Sequence, residues 1–173
     1  MNQELKFIRM KLVVHIALFI LFFAGCSKSS EPLHLVNCDG LITDTLGTGD
    51  NGRIYMPNAF SPNTDGLNEF CKPFFQNIAS FVFTIYDENN IVLFTTSVPG
   101  FGWQPSQGIG TAKKYYYKIQ ATTINNKKIG KCGEVYSLYC FPPNLPKSYF
   151  YFEDMLTVNG FTGMTAEILP TCP

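Results

Sequence analysis

The sequence predicts an all-β fold, an immunoglobulin-like antiparallel β-sandwich, and three observations lead there. Aromatic residues make up 15% of the chain, and aromatic and β-branched side chains suit pleated, half-buried strands. Apolar and polar residues alternate over several short runs, whereas no run beyond residue 25 keeps a helical period. Turn-forming Asn, Asp and Gly separate those runs at hairpin spacing. With 173 residues, 46% of them hydrophobic and 15% charged, the chain has the material for one domain with a sizeable core. Its 13 basic and 13 acidic side chains disfavour a disordered chain and a strongly basic nucleic-acid binder.

Residues 1–25 read as a secretory leader. An apolar run from Leu12 to Ala24, broken by His15, follows Lys6, Arg9 and Lys11, the order of charged and hydrophobic regions in a signal peptide. The run falls short of the roughly 20 apolar residues that cross a bilayer. It ends at Phe23-Ala24-Gly25-Cys26, which resembles a bacterial lipobox. That resemblance implies a diacylglyceryl thioether on Cys26, cleavage just before it and acylation of the new amino terminus. Since each buried methylene contributes about 0.8 kcal/mol, two or three acyl chains hold a protein on a membrane without any spanning helix. The expected location is therefore the outer membrane, with its periplasmic and cell-surface faces both open. Loss of Lys6, Arg9, Lys11 and Glu4 with the leader shifts the balanced charge to about −2. Lys127, Lys128 and Lys131 sit beside Asn125 and Asn126 and read as a solvated hairpin tip, so no nucleic-acid partner is expected.

Residues 26–52 are poor in large apolar groups, as in Thr43-Asp44-Thr45-Leu46-Gly47-Thr48-Gly49-Asp50, and read as a tether that Cys38 is placed to pin. The folded module is expected over 53–140, with 141–173 as a C-terminal extension. Arg53–Asn58 is a short strand that meets Pro57 near its end. In Ser80–Tyr86 the side chains of Phe81, Phe83 and Ile85 share one face and Val82, Thr84 and Tyr86 the other. Asp87-Glu88-Asn89-Asn90 then turns the chain into Ile91–Thr96. A second hairpin runs through Lys113–Ile124, the Asn125-Asn126 turn and Lys128–Cys140, with Tyr115, Tyr117 and Ile119 on one side.

Once Cys26 is assigned to lipid, Cys38, Cys71, Cys132, Cys140 and Cys172 remain, in a compartment that permits disulfides. Two bridges and one free thiol are expected, and sequence alone leaves the pairing open. Cys132 and Cys140 are poor partners for each other, because eight residues of continuous strand at about 3.3 Å separate them by roughly 26 Å. There is no Cys-x-x-Cys and no histidine after His34, which disfavours zinc sites and Ser-His-Asp or Cys-His catalysis in the module. Asp87-Glu88 reads as a turn and Glu153-Asp154 as an exposed run; a hydrolase built from carboxylates alone remains a third reading.

The segment Tyr55-Met56-Pro57-Asn58-Ala59-Phe60-Ser61-Pro62-Asn63-Thr64-Asp65-Gly66-Leu67-Asn68-Glu69-Phe70 places turn formers at fixed offsets between apolar anchors. Pro57 and Pro62 restrict the backbone, Asn63 and Asp65 can bond their own main chain, and Gly66 can take a positive φ. Residues 57–69 strongly resemble the opening of the gliding motility-associated C-terminal domain of Bacteroidota, the type B sorting domain of type IX secretion. Phe83–Tyr86, Val92–Phe94, Gly102-Trp103, Tyr115–Ile119 and Gly133–Leu138 continue the likeness over about 90 residues. The resemblance implies a β-sandwich that usually ends a large secreted protein and directs its export and surface attachment.

Within the motif, Asn63, Asp65, Asn68 and Glu69 offer hard oxygen ligands suited to calcium, the alternative being a self-satisfied Asx turn. Trp103, Tyr116, Tyr149 and Tyr151 are candidates for a partner- or sugar-binding surface, the alternative being core packing. Strand alternation sends Tyr116 to the face opposite Tyr115 and Tyr117. The expected function is thus a non-enzymatic envelope lipoprotein, attached through a lipid on Cys26, presenting its module to secretion or motility proteins. A surface glycan-binding lipoprotein is the alternative.

Overall fold

The computed structural model describes residues 41, 49–106 and 111–173. The chain divides into two compact units, Met1–Leu33 and His34–Pro173, and every described residue belongs to the second. Cys26 and Cys38 lie outside the described residues, as does the leader.

The architecture is an all-β sandwich built on one large sheet. Among the described residues nine strands occur in chain order: β1 (Arg53–Tyr55), β2 (Ala59–Phe60), β3 (Phe74–Gln76), β4 (Ile78–Tyr86), β5 (Val92–Thr96), β6 (Lys113–Thr123), β7 (Lys128–Ser137), β8 (Leu156–Thr157) and β9 (Gly160–Phe161). Five of them form a sheet in the order β2-β7-β6-β4-β5, while β1-β3 and β8-β9 are two-stranded ribbons. Short 3-10 turns occupy Lys147–Tyr149 and Glu153–Met155.

Both expected hairpins are present, and their faces follow from alternation. β4 and β6 pair antiparallel with Phe83 opposite Ile119 and Ile85 opposite Tyr117, so the inward stripes of the two strands lie side by side. Phe83, Ile85 and Ile119 are completely buried. Removing a side chain such as Phe83 from water contributes about 1.5–3 kcal/mol. The turns use the residues that tolerate a left-handed backbone: Asn90 has φ 62° and Asn126 φ 62°, and the Asp87 carboxylate accepts the backbone N–H groups of Asn89 and Ile91.

Against this inner face lies the β1-β3 ribbon, where Ile54 pairs with Phe75 and the Phe75 ring meets Phe81 at 4.3 Å between centroids. The first core fills the space between them, from Ile54 and Met56 to Tyr117 and Val135. A second core lies at the far end of β7, where Ala59 and Leu138 meet Phe141, Phe150, Phe152, Met155 and Leu169. The residues after Cys140, expected as an extension, therefore supply most of a core, and the Cys140–Cys172 disulfide staples that segment at both ends.

Some expectations are adjusted. One sheet pairing is parallel: β2 runs beside β7, with Ala59 opposite Tyr136. The strand expected over Arg53–Asn58 stops at Tyr55, and Lys128–Cys140 stops at Ser137, where the chain turns toward the second core. Cys132 and Cys140 are both disulfide-bonded, and Cys140 takes Cys172. Cys71 is the free thiol among the described residues; burial pushes its ionisation far up, which leaves it a small inert hydrophobe.

Candidate functional site

The motif loop between β2 and β3 is held from two directions. Within the loop, Asn63 Oδ1 accepts from Asp65 N at 3.1 Å, Asp65 Oδ1 from Leu67 N at 2.8 Å, and Glu69 Oε1 from Gly66 N at 2.9 Å. Gly66 sits at φ 90°, where a side chain would be strained. Three of the four candidate calcium ligands thus have oxygens turned onto backbone N–H groups of their own loop. Asn68 faces elsewhere and is buried. Among the described residues no cluster of three or more His, Cys, Asp or Glu side chains is placed to hold a metal.

The second direction is the segment after Cys140. Asn58 donates to Tyr149 O at 2.8 Å and its Oδ1 accepts from Tyr151 N. Glu167, only 6% exposed, accepts from Ser61 Oγ at 2.5 Å and Asn68 Nδ2 at 3.0 Å on one oxygen, and from Asn63 Nδ2 at 3.2 Å on the other. All three donors are neutral, so the carboxylate charge is dispersed by hydrogen bonds. Asn68 Oδ1 accepts from Asp154 N, and Asp154 in turn accepts from Thr165 Oγ1 and Ala166 N. The motif and the C-terminal segment therefore form one hydrogen-bonded unit. Sequence reasoning missed Glu167: a single carboxylate between Ala166 and Ile168 carries no signal of partners some hundred positions earlier.

The four aromatic candidates divide. Trp103 is part-buried on the inner side, its ring edge-on to Tyr115 at 4.8 Å and to Phe60 at 6.0 Å, while its backbone exchanges hydrogen bonds with Cys71. Tyr116 points from the opposite face of β6. There it joins Tyr149 and three residues that the sequence reading did not select, Lys114, Glu134 and Tyr136. Lys114 Nζ lies 5.3 Å from the Tyr116 ring and 3.0 Å from Glu134 Oε1. Tyr136 donates to Glu134 Oε2, and Tyr149 stands edge-on to Tyr136 at 5.9 Å. The hydrogen bond to Glu134 holds the Lys114 ammonium above its ordinary range, and burial followed by the Glu134 charge does the same for the Tyr136 phenol. Tyr151 is apart from this cluster, against Phe161 at 5.6 Å. The missed signal was the period-two spacing that puts Lys114 with Tyr116 and Glu134 with Tyr136 on one face.

The candidate carboxylates of a hydrolase are dispersed in role. Asp87 caps a turn, Glu153 pairs with Lys72 at 2.8 Å, and Asp154 braces the C-terminal segment.

A different surface lies at the free edge of the sheet. β5 pairs with β4 alone among the named strands, and Ile91, Val92, Leu93, Val98 and Phe101 are 41–59% exposed. Phe101 folds back onto Phe94 at 5.7 Å, a residue that itself packs against the first core. No charged residue occurs between Glu88 and Lys113. A register shift between Ile85 and Tyr86 marks a bulge in β5, a device that limits continuous strand addition at an edge.

No family model, curated protein or solved structure matches the chain. The site is thus defined by its own geometry, as an all-β module with a scaffolded motif loop, an outward tyrosine cluster and an apolar edge.

Proposed function

We propose that the protein is a non-enzymatic envelope lipoprotein, anchored in the outer membrane through acylated Cys26. It presents a gliding motility-associated, type IX sorting-like β-sandwich for protein interaction in secretion-linked assembly or adhesion. The observation that carries this reading is the exposure of Ile91, Val92, Leu93, Val98 and Phe101 in and beside the edge strand β5, within a stretch that holds no charged residue, since exposed large apolar side chains at a sheet edge suit a protein partner. The motif loop supports it as scaffold, because Asn58, Ser61 and Asn68 are spent on the chain's own C-terminal segment.

The test compares native protein with Cys26→Ala in fractionated cells, followed by protease shaving of intact cells. Membrane association that depends on Cys26 is the expected result, and shaving then assigns the face. A Cys26→Ala protein that remains wholly membrane-bound refutes the lipid anchor.

The outward cluster of Tyr116, Tyr136 and Tyr149 favours glycan binding as a second reading, as aromatic faces beside a charged pair suit sugar stacking. Tyr116→Ala should then abolish retention on a glycan array with the fold intact. Unchanged binding in that variant, or no binding by the native protein, removes this reading.

A further inference from the structure

We infer that Cys132 is bridged to Cys38, so that the chain entering the module is fastened covalently to the outer face of the large sheet well before β1 begins. Cys132 is disulfide-bonded, Cys140 and Cys172 are bonded to each other, and Cys71 is free. Of the six cysteines in the chain, Cys26 and Cys38 are left for Cys132.

Leu41 decides between them. A Cβ built on Gly130 would stand 2.7 Å from Leu41 Cδ2 and 2.8 Å from the Ile119 carbonyl oxygen, so the missing side chain makes the notch in which Leu41 sits. Leu41 also borders a groove of about 540 Å³ beside Ser80, Val82, Gln120, Thr122 and Lys128. Cys132 is two residues from Gly130 on β7 and shares its face, about 6.6 Å along the strand. Cys38 is three residues from Leu41, a reach of up to about 10 Å. That span meets the roughly 4.4–6.8 Å between disulfide-linked Cα atoms without strain.

Formation of the bridge removes two protons and two electrons from the thiols of Cys38 and Cys132. A disulfide-bearing thiol oxidase of the envelope accepts them and becomes a dithiol. The consequence is a shorter leash. If Cys26 carries the lipid, the free span to the module is 12 residues rather than 27, and its root-mean-square reach falls to about 20 Å from about 29 Å. The part about the leash rests on the lipid reading; the bridge itself does not.

Two measurements test the inference. Peptide mapping of the full chain without reductant should return Cys38 joined to Cys132 beside Cys140–Cys172. Second, a protease site placed between Thr43 and Leu46 should, once cut, leave the module on the membrane until reductant is added, whereas Cys38→Ser releases it at once. A thiol-reactive Cys38 in the native protein, or release by cutting alone, overturns the bridge and leaves the lipid reading standing. A Cys26–Cys132 peptide overturns both. A protein that is never on the membrane but yields the Cys38–Cys132 peptide supports the bridge and refutes the anchor.

Discussion

Glu167 is the residue on which the motif loop most depends, and its replacement by alanine gives a calculable loss. Three donors lose their acceptor: Ser61 Oγ, Asn68 Nδ2 and Asn63 Nδ2. Asn63 keeps Asp65 Oδ2 at 2.9 Å, so its loss is small. Ser61 is fully buried and Asn68 nearly so, and Ser61 Oγ is left with a distant approach to Leu67 O at 3.5 Å. Each buried donor left unsatisfied costs about 1–3 kcal/mol, which gives about 4 kcal/mol for the pair. Against a total stability of roughly 5–15 kcal/mol, Tm should fall by about 10–20 °C. Glu167→Gln keeps one carbonyl oxygen for Ser61 and Asn68 and sets its amide against the Asn63 amide, so about 1–2 kcal/mol is expected. The assay is urea unfolding followed through Trp103, the single tryptophan of the chain, whose ring touches Phe60 next to Ser61. A double-mutant cycle with Ser61→Ala should show coupling above about 1 kcal/mol. The reasoning is refuted if Glu167→Ala costs under about 1 kcal/mol, or if the two substitutions are additive.

Three further outcomes follow from the same geometry. Truncation after Cys140 removes Phe141, Phe150, Phe152, Met155 and Leu169 from the second core together with Glu167, so the remainder should lack a cooperative thermal transition; a sharp transition by circular dichroism would contradict this. Trp103→Ala removes a ring packed on Tyr115 and Phe60 and should cost about 3 kcal/mol. Tyr116→Ala, on the outer face, should cost under about 1 kcal/mol, and urea midpoints of the two variants decide. Alkali should destabilise the fold. Burial, then the neighbouring Cys71, raises the Tyr117 phenol, and burial raises the Cys71 thiol itself. A group raised in the folded state contributes fully below its unfolded value and loses that contribution as pH climbs past it, here above about pH 9–10. Lys131, lowered by burial, works in the opposite sense but is one group against several. Urea midpoints at pH 8 and pH 10.5 measure the balance, and a higher midpoint at pH 10.5 would overturn it.

What could be read from the sequence is what period two controls. Phe81, Phe83 and Ile85 declare a buried face because strand geometry alternates, and Tyr115, Tyr117 and Ile119 do the same. Asn90 and Asn126 announce their turns because few residues tolerate the left-handed backbone. The parallel pairing of Ala59 and Phe60 with β7 has no such signature, since two residues carry no period and they pack into different cores, Ala59 with Leu138 and Phe150 and Phe60 with the first cluster. Cysteine pairing was illegible for a related reason: a bridge depends on which loops meet, and the rise along one extended strand disfavoured just the Cys132–Cys140 pair.

The motif shows where local reasoning ends. Asn63, Asp65 and Glu69 are explained by turn chemistry, because their bonds close within a few residues. Asn58, Ser61 and Asn68 look equally local in sequence, yet their side chains bond across separations of 86–106 residues. A polar residue in a turn-rich segment can satisfy itself at home or hold a distant strand, and composition does not distinguish the two. Burial does: Ser61 and Asn68 lie beneath the loop, out of water, where an unpaired polar group is costly. The C-terminal segment is therefore bound to the motif by the same bonds that keep the motif folded. A partner that sought this loop would have to displace Glu167 and replace three hydrogen bonds in a desolvated site. The apolar edge at β5 asks for no such exchange, and that difference in cost is why we propose the edge, and not the motif, as the surface for interaction.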